Sequence, residues 1–290
     1  MNKSKSKRQL GYIGLNLLAT CFLATGGIFV KLSALPPIAT GFYRILFSIL
    51  ILYPLVKLDL QSSKIEKKDL LLLLCGGGFL GLDLIAWNKA MYLTTMANAN
   101  LLTNFVPFTI IPVSYLLYKK KVSTTFMIGL TVSFVGLIVL MSGKLEPSPE
   151  NFKGDMLAFL ASIFYAFFLL AVSSLRKRMY ASTIMFVSAF GGVIVLFIAM
   201  IFSEGFQYPQ NIAQLLPLIA LTICSQILGQ GLLSYCIGKI DVILSSVLLL
   251  IQPVIAAAYS YLIFGESIMF QEAIGILIVL IGIFYARKGI

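Results

Sequence analysis

The sequence predicts an all-α integral membrane protein in which ten transmembrane helices form two inverted five-helix repeats. The first observation behind this prediction is composition, since 59% of the 290 residues are hydrophobic and 11% are charged. Soluble domains contain about 45–50% apolar and about 25% charged residues. No soluble fold of this size could bury so much apolar surface, so the bilayer is the expected solvent. The other two observations are ten long apolar stretches and an internal repeat.

The apolar residues fall into ten stretches of the length that crosses a bilayer, about 20 residues each. We predict spans at residues 10–32, 37–57, 69–89, 95–118, 123–143, 154–174, 181–203, 213–236, 241–263 and 268–286. The basic start, Lys3 to Arg8, resembles a signal peptide. The apolar run that follows is too long for one, and no small-residue cleavage site closes it, so we assign it as the first membrane helix.

The basic residues predict the orientation of the spans. If the N-terminus lies inside, Lys31, Lys89, Lys144 and Lys153 are the basic residues in outer segments, Arg44 lies within a helix, and the rest of the 22 lie in inner segments. This bias predicts a multi-pass plasma (inner) membrane protein with both termini in the cytoplasm. The net charge of +11 does not predict a nucleic-acid partner, because the basic residues occupy short gaps between apolar runs.

The second half of the chain repeats features of the first at a nearly constant spacing. Pro107, Gly129 and Gly136 recur 146 residues later as Pro253, Gly275 and Gly282, and Gly81 and Trp87 recur 148 residues later as Gly229 and Tyr235. We therefore divide the chain into repeats 1–145 and 150–290. Since each repeat holds five spans, the second must be inverted relative to the first. Inverted repeats are typical of secondary transporters and place a binding site near the membrane midplane.

With these features the chain resembles the ten-helix EamA-type permeases of the drug/metabolite transporter superfamily over nearly its whole length. Phe42-Tyr43-Arg44 looks like the family's arginine early in helix 2, and Phe264-Gly265-Glu266 looks like its Gly-Glu turn after helix 9. At the matching place the first half reads Tyr118-Lys119-Lys120, without the acid. Family members move amino acids, other metabolites, nucleotide sugars or drugs, so the resemblance implies transport and leaves the substrate open.

Two charged residues lie well inside predicted spans. At 1.5 Å per residue, Arg44 in span 2 and Asp83 in span 3 are each about 10 Å below the outer surface. Charges in hydrocarbon are costly and mark functional sites. In one interpretation the two residues bind the charged ends of a zwitterion, with Asp83 as the candidate proton carrier. In the other they form a permanent salt bridge between spans 2 and 3.

Amide side chains form two pairs with helical spacing. Asn100 and Asn104 share one face of span 4, just before Pro107, and Gln226 and Gln230 share one face of span 8. A proline interrupts helical hydrogen bonding, and such broken segments occur where they line a cavity or pack on protein. We therefore count all four amides as candidate substrate-binding residues. The alternative is that they only form hydrogen bonds between helices.

Three aromatic residues complete the set of candidate substrate-binding residues. Tyr43 lies next to Arg44, and Tyr165 lies in the middle of span 6 with a hydroxyl group that needs a partner. Trp87, which matches Tyr235 in the second repeat, either stands in the interfacial aromatic belt or walls the binding site.

Several classes of function are disfavoured by residues that the sequence lacks. It contains no histidine, and Cys21, Cys75, Cys224 and Cys236 show no CxxC spacing. We therefore expect no catalytic site, no metal and no cofactor. The run Gly76 to Gly81 satisfies GxGxxG, but it lies inside span 3 rather than after a strand. We interpret it as a close contact between helices.

The sequence therefore favours a secondary transporter of small metabolites, with amino acids or related zwitterions exported by alternating access. A carrier of lipophilic drugs is the main alternative. Nucleotide sugars are less favoured, because a phosphate site needs several buried basic residues and only Arg44 qualifies. The expected partners are a small-molecule substrate and the lipid bilayer, and a homodimer is an open option.

Overall fold

The computed structural model describes residues 3–60, 65–145, 148–264 and 269–289, which are helical with short connections and contain no strand. Within these ranges ten helices are long and apolar enough to cross a membrane. They are α1 (Arg8–Leu32), α2 (Pro37–Lys57), α3 (Lys67–Leu93), α4 (Met96–Tyr118), α5 (Thr124–Lys144), α6 (Phe152–Leu175), α7 (Ala181–Ser203), α8 (Ile212–Ile237), α9 (Val242–Leu262) and α10 (Phe270–Lys288). The predicted spans are confirmed to within a few residues. Gly265 and Glu266 of the predicted turn lie outside the described residues.

Helices α4 and α9 are interrupted at matching places. Helix α4 consists of Met96–Thr103 and Val106–Tyr118, so it breaks just before Pro107, where the sequence predicts an interruption. In α9 a 3₁₀ turn, Leu249–Ile251, separates two helical segments, Val242–Leu248 and Gln252–Phe264, and the second contains Pro253. Proline has no N–H for the helical ladder, which accounts for both breaks. Each segment of α9 begins 146 residues after the corresponding segment of α4.

Helix α8 departs from α-helical geometry in its middle. Residues Thr222–Gly231 form a π-helix of ten residues between two α-helical segments. Such segments are rare and frequently occur at functional sites, because the wider turn changes the direction in which side chains point. Here the π-helical segment contains both predicted glutamines, Gln226 and Gln230, and both are buried.

Glycines allow two pairs of helices to touch through their backbones. A Cβ atom on Gly77 of α3 would overlap the carbonyl group of Ser188 in α7, and one on Gly191 of α7 would overlap the backbone of α3. Helices α5 and α10 meet in the same way, since Gly129 and Gly282 face each other's helix at backbone distance. The GxGxxG run therefore packs against a neighbouring helix, as the sequence predicts.

The bundle has two ends, which we name after a lysine at each. The Lys31 end also holds the end of α7, where the Glu204 carboxylate accepts hydrogen bonds from the backbone N–H groups of Ile38 and Ala39 at 2.9 Å. The Lys120 end holds the ion pair of Lys120 with Asp241 at 2.6 Å. The two ends differ in the cavities that lie between them and the interior of the bundle, and these cavities locate the candidate site.

Candidate functional site

A polar cavity of about 90 Å³ lies in the middle of the bundle, and we call it the central chamber. Seven helices contribute to its wall, including the interrupted α4 and α9 and the π-helical segment of α8. Its lining residues are Leu23, Gly26, Arg44, Leu80, Asp83, Leu84, Trp87, Thr103, Asn104, Val106, Pro107, Ser162, Tyr165, Ser225, Gln230, Ser246, Leu249 and Gln252. Both repeats predicted from the sequence therefore supply side chains to one cavity.

The two charged residues predicted from the sequence both line this chamber. Arg44 is 6% exposed, and its Nε donates a hydrogen bond to Oε1 of Gln226 at 3.0 Å. Asp83 makes no hydrogen bond with any residue that the structure describes, and no ion pair within 4.0 Å joins it to Arg44. As a residue Asp83 is partly exposed, and it lines the chamber. Arg44 and Asp83 thus present opposite charges to the same space without neutralising each other in direct contact.

The π-helical segment of α8 holds Arg44 in place through two hydrogen-bonding contacts. Gln226 accepts from the guanidinium group, and the Thr222 hydroxyl is 3.3 Å from the backbone carbonyl of Arg44. Close by, the Ser225 side chain lies against Gly26 of α1. A guanidinium group with a fixed partner is oriented, so the charge of Arg44 is directed by α8.

Gln230 links α8 to α6 at the chamber wall. Its Oε1 accepts a hydrogen bond from the Tyr165 hydroxyl at 2.8 Å, while its Nε2 is buried and has no partner among the residues that the structure describes. A buried polar atom without a partner is uncommon in proteins and calls for a ligand or water. Gln230 therefore lines the chamber and carries a buried N–H donor that the described residues leave unused.

A second, wider cavity adjoins the chamber on the side of the Lys31 end. This vestibule has a volume of about 340 Å³ and shares Trp87, Thr103, Asn104 and Gln252 with the chamber wall. Its other lining residues are Ala24, Gly27, Ile28, Lys31, Leu32, Met96, Asn100, Pro253, Ala256, Tyr259 and Ser260. A third cavity of about 320 Å³ continues past Asn100 and Ser260 to the ion pair of Lys144 and Glu272. The chamber is therefore adjoined, on the side of the Lys31 end, by two further cavities.

The predicted site residues fall into three groups in the structure. Those that line the central chamber are Arg44, Asp83, Trp87, Asn104, Tyr165 and Gln230. Asn100 lines the vestibule, where its backbone carbonyl accepts from the Asn104 amide at 2.6 Å, and Gln226 binds Arg44 without lining the chamber. Tyr43 lies apart, because its hydroxyl donates to the Gln207 carbonyl at 2.9 Å and its ring packs against Phe42 and Phe47.

Sequence reasoning missed the small hydroxyl residues of the chamber. Thr103, Ser162, Ser225 and Ser246 line it, and none was singled out, because Ser and Thr are frequent in transmembrane helices for packing alone. One signal was present, since Ser246 lies 146 residues after Asn100 and occupies the matching place in the second repeat. Applying the repeat to polar residues would have identified it.

The fold and its central cavity define a polytopic membrane protein with a polar chamber at the meeting point of many helices. The chain belongs to the EamA-like transporter family, whose model matches it twice, at residues 9–142 and 152–287. The family predicted from the sequence is confirmed.

Similar proteins include several that are named transporters. A protein of Clostridium kluyveri named an uncharacterized transporter is 25% identical over 287 residues, which cover 94% of this chain and 91% of that one. The uncharacterized transporter YetK of Bacillus subtilis is 26% identical over 254 residues, 85% of this chain and 77% of its own. An uncharacterized transporter of Archaeoglobus fulgidus is 23% identical over 273 residues, which cover 94% of this chain and 94% of that one.

The fold is also found in a solved structure. A protein known from its crystal structure superposes with a TM-score of 0.77 at 18% sequence identity, and the match covers 96% of both chains. At this identity the match shows a shared fold. The family match, and not this superposition, makes the chain a membrane transporter of the EamA-like family.

Proposed function

We propose that this chain is a secondary-active transporter of small zwitterionic metabolites, with amino acids and related compounds as its substrates. One observation supports this proposal above the others: Arg44 and Asp83 face the same chamber, and no ion pair joins them. Buried charges are costly unless they are compensated. A zwitterion would compensate both, with its carboxylate toward Arg44 and its ammonium group toward Asp83.

The other acids inside helices have partners that Asp83 lacks. Asp69 pairs with Arg178 at 2.7 Å, and Glu272 pairs with Lys144 at 2.7 Å. Asp155 accepts a hydrogen bond from the Thr94 hydroxyl at 2.6 Å. Among the described acids inside the membrane-spanning helices, Asp83 is thus the one without a hydrogen-bond or ion-pair partner, and we propose it as the proton carrier if transport is coupled to protons.

The neutral polar groups of the chamber support a small substrate. The free Nε2 of Gln230 and the amide of Asn104 would orient a polar head group in the central chamber. A side chain of the substrate would extend past Trp87 into the wider vestibule. Among the described residues Arg44 is the one arginine that lines the chamber, which disfavours substrates with several phosphate charges.

Alternating access requires that one end of the bundle opens while the other closes. The open vestibule leads to the Lys31 end, which the distribution of basic residues predicts to be the outer side. We therefore propose a plasma-membrane protein with cytoplasmic termini, and we propose that this structure corresponds to an outward-open state. Release from this state to the outside fits export.

A carrier of lipophilic cations is the second candidate, and the vestibule favours it. Trp87, Met96 and Tyr259 line a space of about 340 Å³, and aromatic faces attract cations. Such a substrate would need Asp83 but would gain nothing from Arg44. The two candidates therefore differ in their dependence on Arg44.

A thermal-shift series on the purified protein tests the proposal. A ligand that binds the folded state raises the melting temperature with the logarithm of its concentration over Kd. We expect a rise with neutral amino acids that is lost in both Arg44→Gln and Asp83→Asn and kept in Glu150→Gln, which changes an exposed acid. A rise with lipophilic cations that survives Arg44→Gln would replace the amino-acid proposal with the second candidate. Stabilisation by nucleotide sugars alone would contradict both.

A further inference from the structure

The helical segments of α4 and α9 correspond to each other at a spacing of 146 residues. They are open at the Lys31 end of the bundle and closed at the Lys120 end. In the first segment of α4, Met96 and Asn100 line the open vestibule. Their counterparts in α9, Val242 and Ser246, lie in a stretch, 242–250, whose residues are all buried. The asymmetry is thus local: the first segment of α9 is closed where that of α4 is open.

The second segments of α4 and α9 show the same contrast. Ser260 of α9 lines both the vestibule and the third cavity. Its counterpart Ser114 of α4 is 0% exposed, and its hydroxyl has no hydrogen-bond partner in the described ranges of the chain. The position that is open at the Lys31 end is therefore sealed and unsatisfied at the Lys120 end.

Further buried polar groups without partners among the described residues lie on helices that pack around the first segment of α9. The second segment of α4 packs against this segment, whose Ser245 hydroxyl is 0% exposed and has no partner among the described residues. Helix α1 also packs against the first segment of α9, and neither side-chain amide atom of Asn16 in α1 has a partner in the described part of the chain. Buried polar atoms without partners are costly, at about 1–3 kcal/mol each. We call Ser114, Ser245 and Asn16 the polar seam, since water could satisfy their side chains if the two helical segments parted.

An ion pair lies next to this seam at the Lys120 end of the bundle. Lys120, just after α4, binds Oδ2 of Asp241 at 2.6 Å, and Oδ1 of Asp241 accepts from the backbone N–H of Ile243 at 2.9 Å. Asp241 therefore caps α9 and at the same time ties it to α4. The contact joins the two predicted repeats at the place where the seam would have to part.

We infer that the chamber opens toward the Lys120 end by parting the second segment of α4 from the first segment of α9, and that the Lys120–Asp241 ion pair holds this path closed. Ser114 and Ser245 line the path. The inference rests on the proposed transport function, because the path would be the second exit of an alternating-access cycle. The ion pair is partly exposed, with 41% and 29% of the two side chains accessible. Partly exposed pairs are weak, so the pair biases the opening and does not block it.

Cysteine accessibility tests this inference. In a chain with Cys21, Cys75, Cys224 and Cys236 replaced by serine, Ser114→Cys and Ser245→Cys are labelled with a membrane-impermeant thiol reagent from the Lys120 side. We expect slow labelling, and about two- to fivefold faster labelling when Lys120→Gln or Asp241→Asn is added. Asp241→Asn keeps the Oδ1 that caps α9, so helix loss does not explain the effect. The double change should add nothing beyond either single change.

Two control variants and a transport assay separate the possible outcomes. Lys121→Gln changes a neighbouring lysine that forms no ion pair with a described residue, and Lys144→Gln breaks the ion pair at the other end. Neither should accelerate labelling of Ser114→Cys. Unchanged labelling in Lys120→Gln, with amino-acid uptake into proteoliposomes intact, overturns the path while transport stands. Faster labelling in a protein that transports no amino acid supports the path and contradicts the proposed substrate.

Discussion

Arg44 and Asp83 come from consecutive helices and line one chamber, yet Arg44 donates its Nε–H to Gln226 and not to the acid. The sequence places both charges at one depth and leaves two interpretations, a binding site or a permanent salt bridge. No ion pair joins them in the described structure. The arrangement keeps both charges available to a ligand, and the first two predictions follow from it.

Asp83→Asn should remove the dependence of transport on a proton gradient while the protein stays folded. Asparagine has nearly the same shape but cannot bind and release a proton, and no hydrogen bond with a described residue is lost. The measurement is substrate uptake into proteoliposomes with and without a pH difference. Glu150→Gln, which changes an exposed acid, should retain the dependence. Full proton coupling in Asp83→Asn would show that another group carries the proton.

Arg44→Ala should destabilise the protein more than the double variant Arg44→Ala with Asp83→Ala. Removing Arg44 leaves the buried Gln226 oxygen without its donor and Asp83 without a neighbouring positive charge, at a cost of about 1–3 kcal/mol. Removing Asp83 as well should recover the electrostatic part of the loss. Melting temperatures of purified variants provide the comparison. Equal melting of both variants would mean that the two charges do not stabilise each other.

Glu204→Ala should destabilise the Lys31 end by about 0.5–2 kcal/mol, the range measured for lost helix N-caps. The Glu204 carboxylate accepts from the N–H groups of Ile38 and Ala39 in the first turn of α2, although 166 residues separate Glu204 from Ile38. A negative charge there also interacts favourably with the helix dipole. Glu204→Gln keeps an acceptor oxygen and should lose less. Thermal unfolding measures both, and a larger loss in Glu204→Gln than in Glu204→Ala would contradict the capping role.

Gly77→Ala should lower the yield of folded protein, because the added Cβ would overlap the Ser188 carbonyl group in α7. Overpacking of this kind costs about 1–3 kcal/mol. Gly14→Ala is the matched control, since nothing lies within 4 Å of the Cβ that it adds and alanine favours helix. Size-exclusion profiles and melting temperatures in detergent provide the comparison. Similar behaviour of the two variants would show that α3 and α7 can separate at no cost.

Part of the site could be predicted from the sequence because charge and amide groups are rare in hydrocarbon. Arg44, Asp83, Asn104 and Gln230 stand out for that reason, and all of them line the chamber. Tyr43 was predicted from its place beside Arg44, but neighbours in sequence point to different faces of a helix, and its side chain lies against Phe42 and the Gln207 carbonyl. Gln226 lies in the π-helical segment of α8 and accepts a hydrogen bond from Arg44 without lining the chamber.

By itself the sequence determined that the lipid bilayer surrounds the helices, how many helices cross it and to which family the chain belongs. The bilayer imposes one length and one composition on every span. It also determined where α4 breaks, because a proline has no N–H to complete the helix. Only the tertiary structure decided which polar groups meet, which of them remain unpaired, and which end of the bundle is open. These properties depend on helix rotation and on contacts between residues far apart in the chain, such as Lys120 and Asp241, and the periodicity of a single span does not contain them.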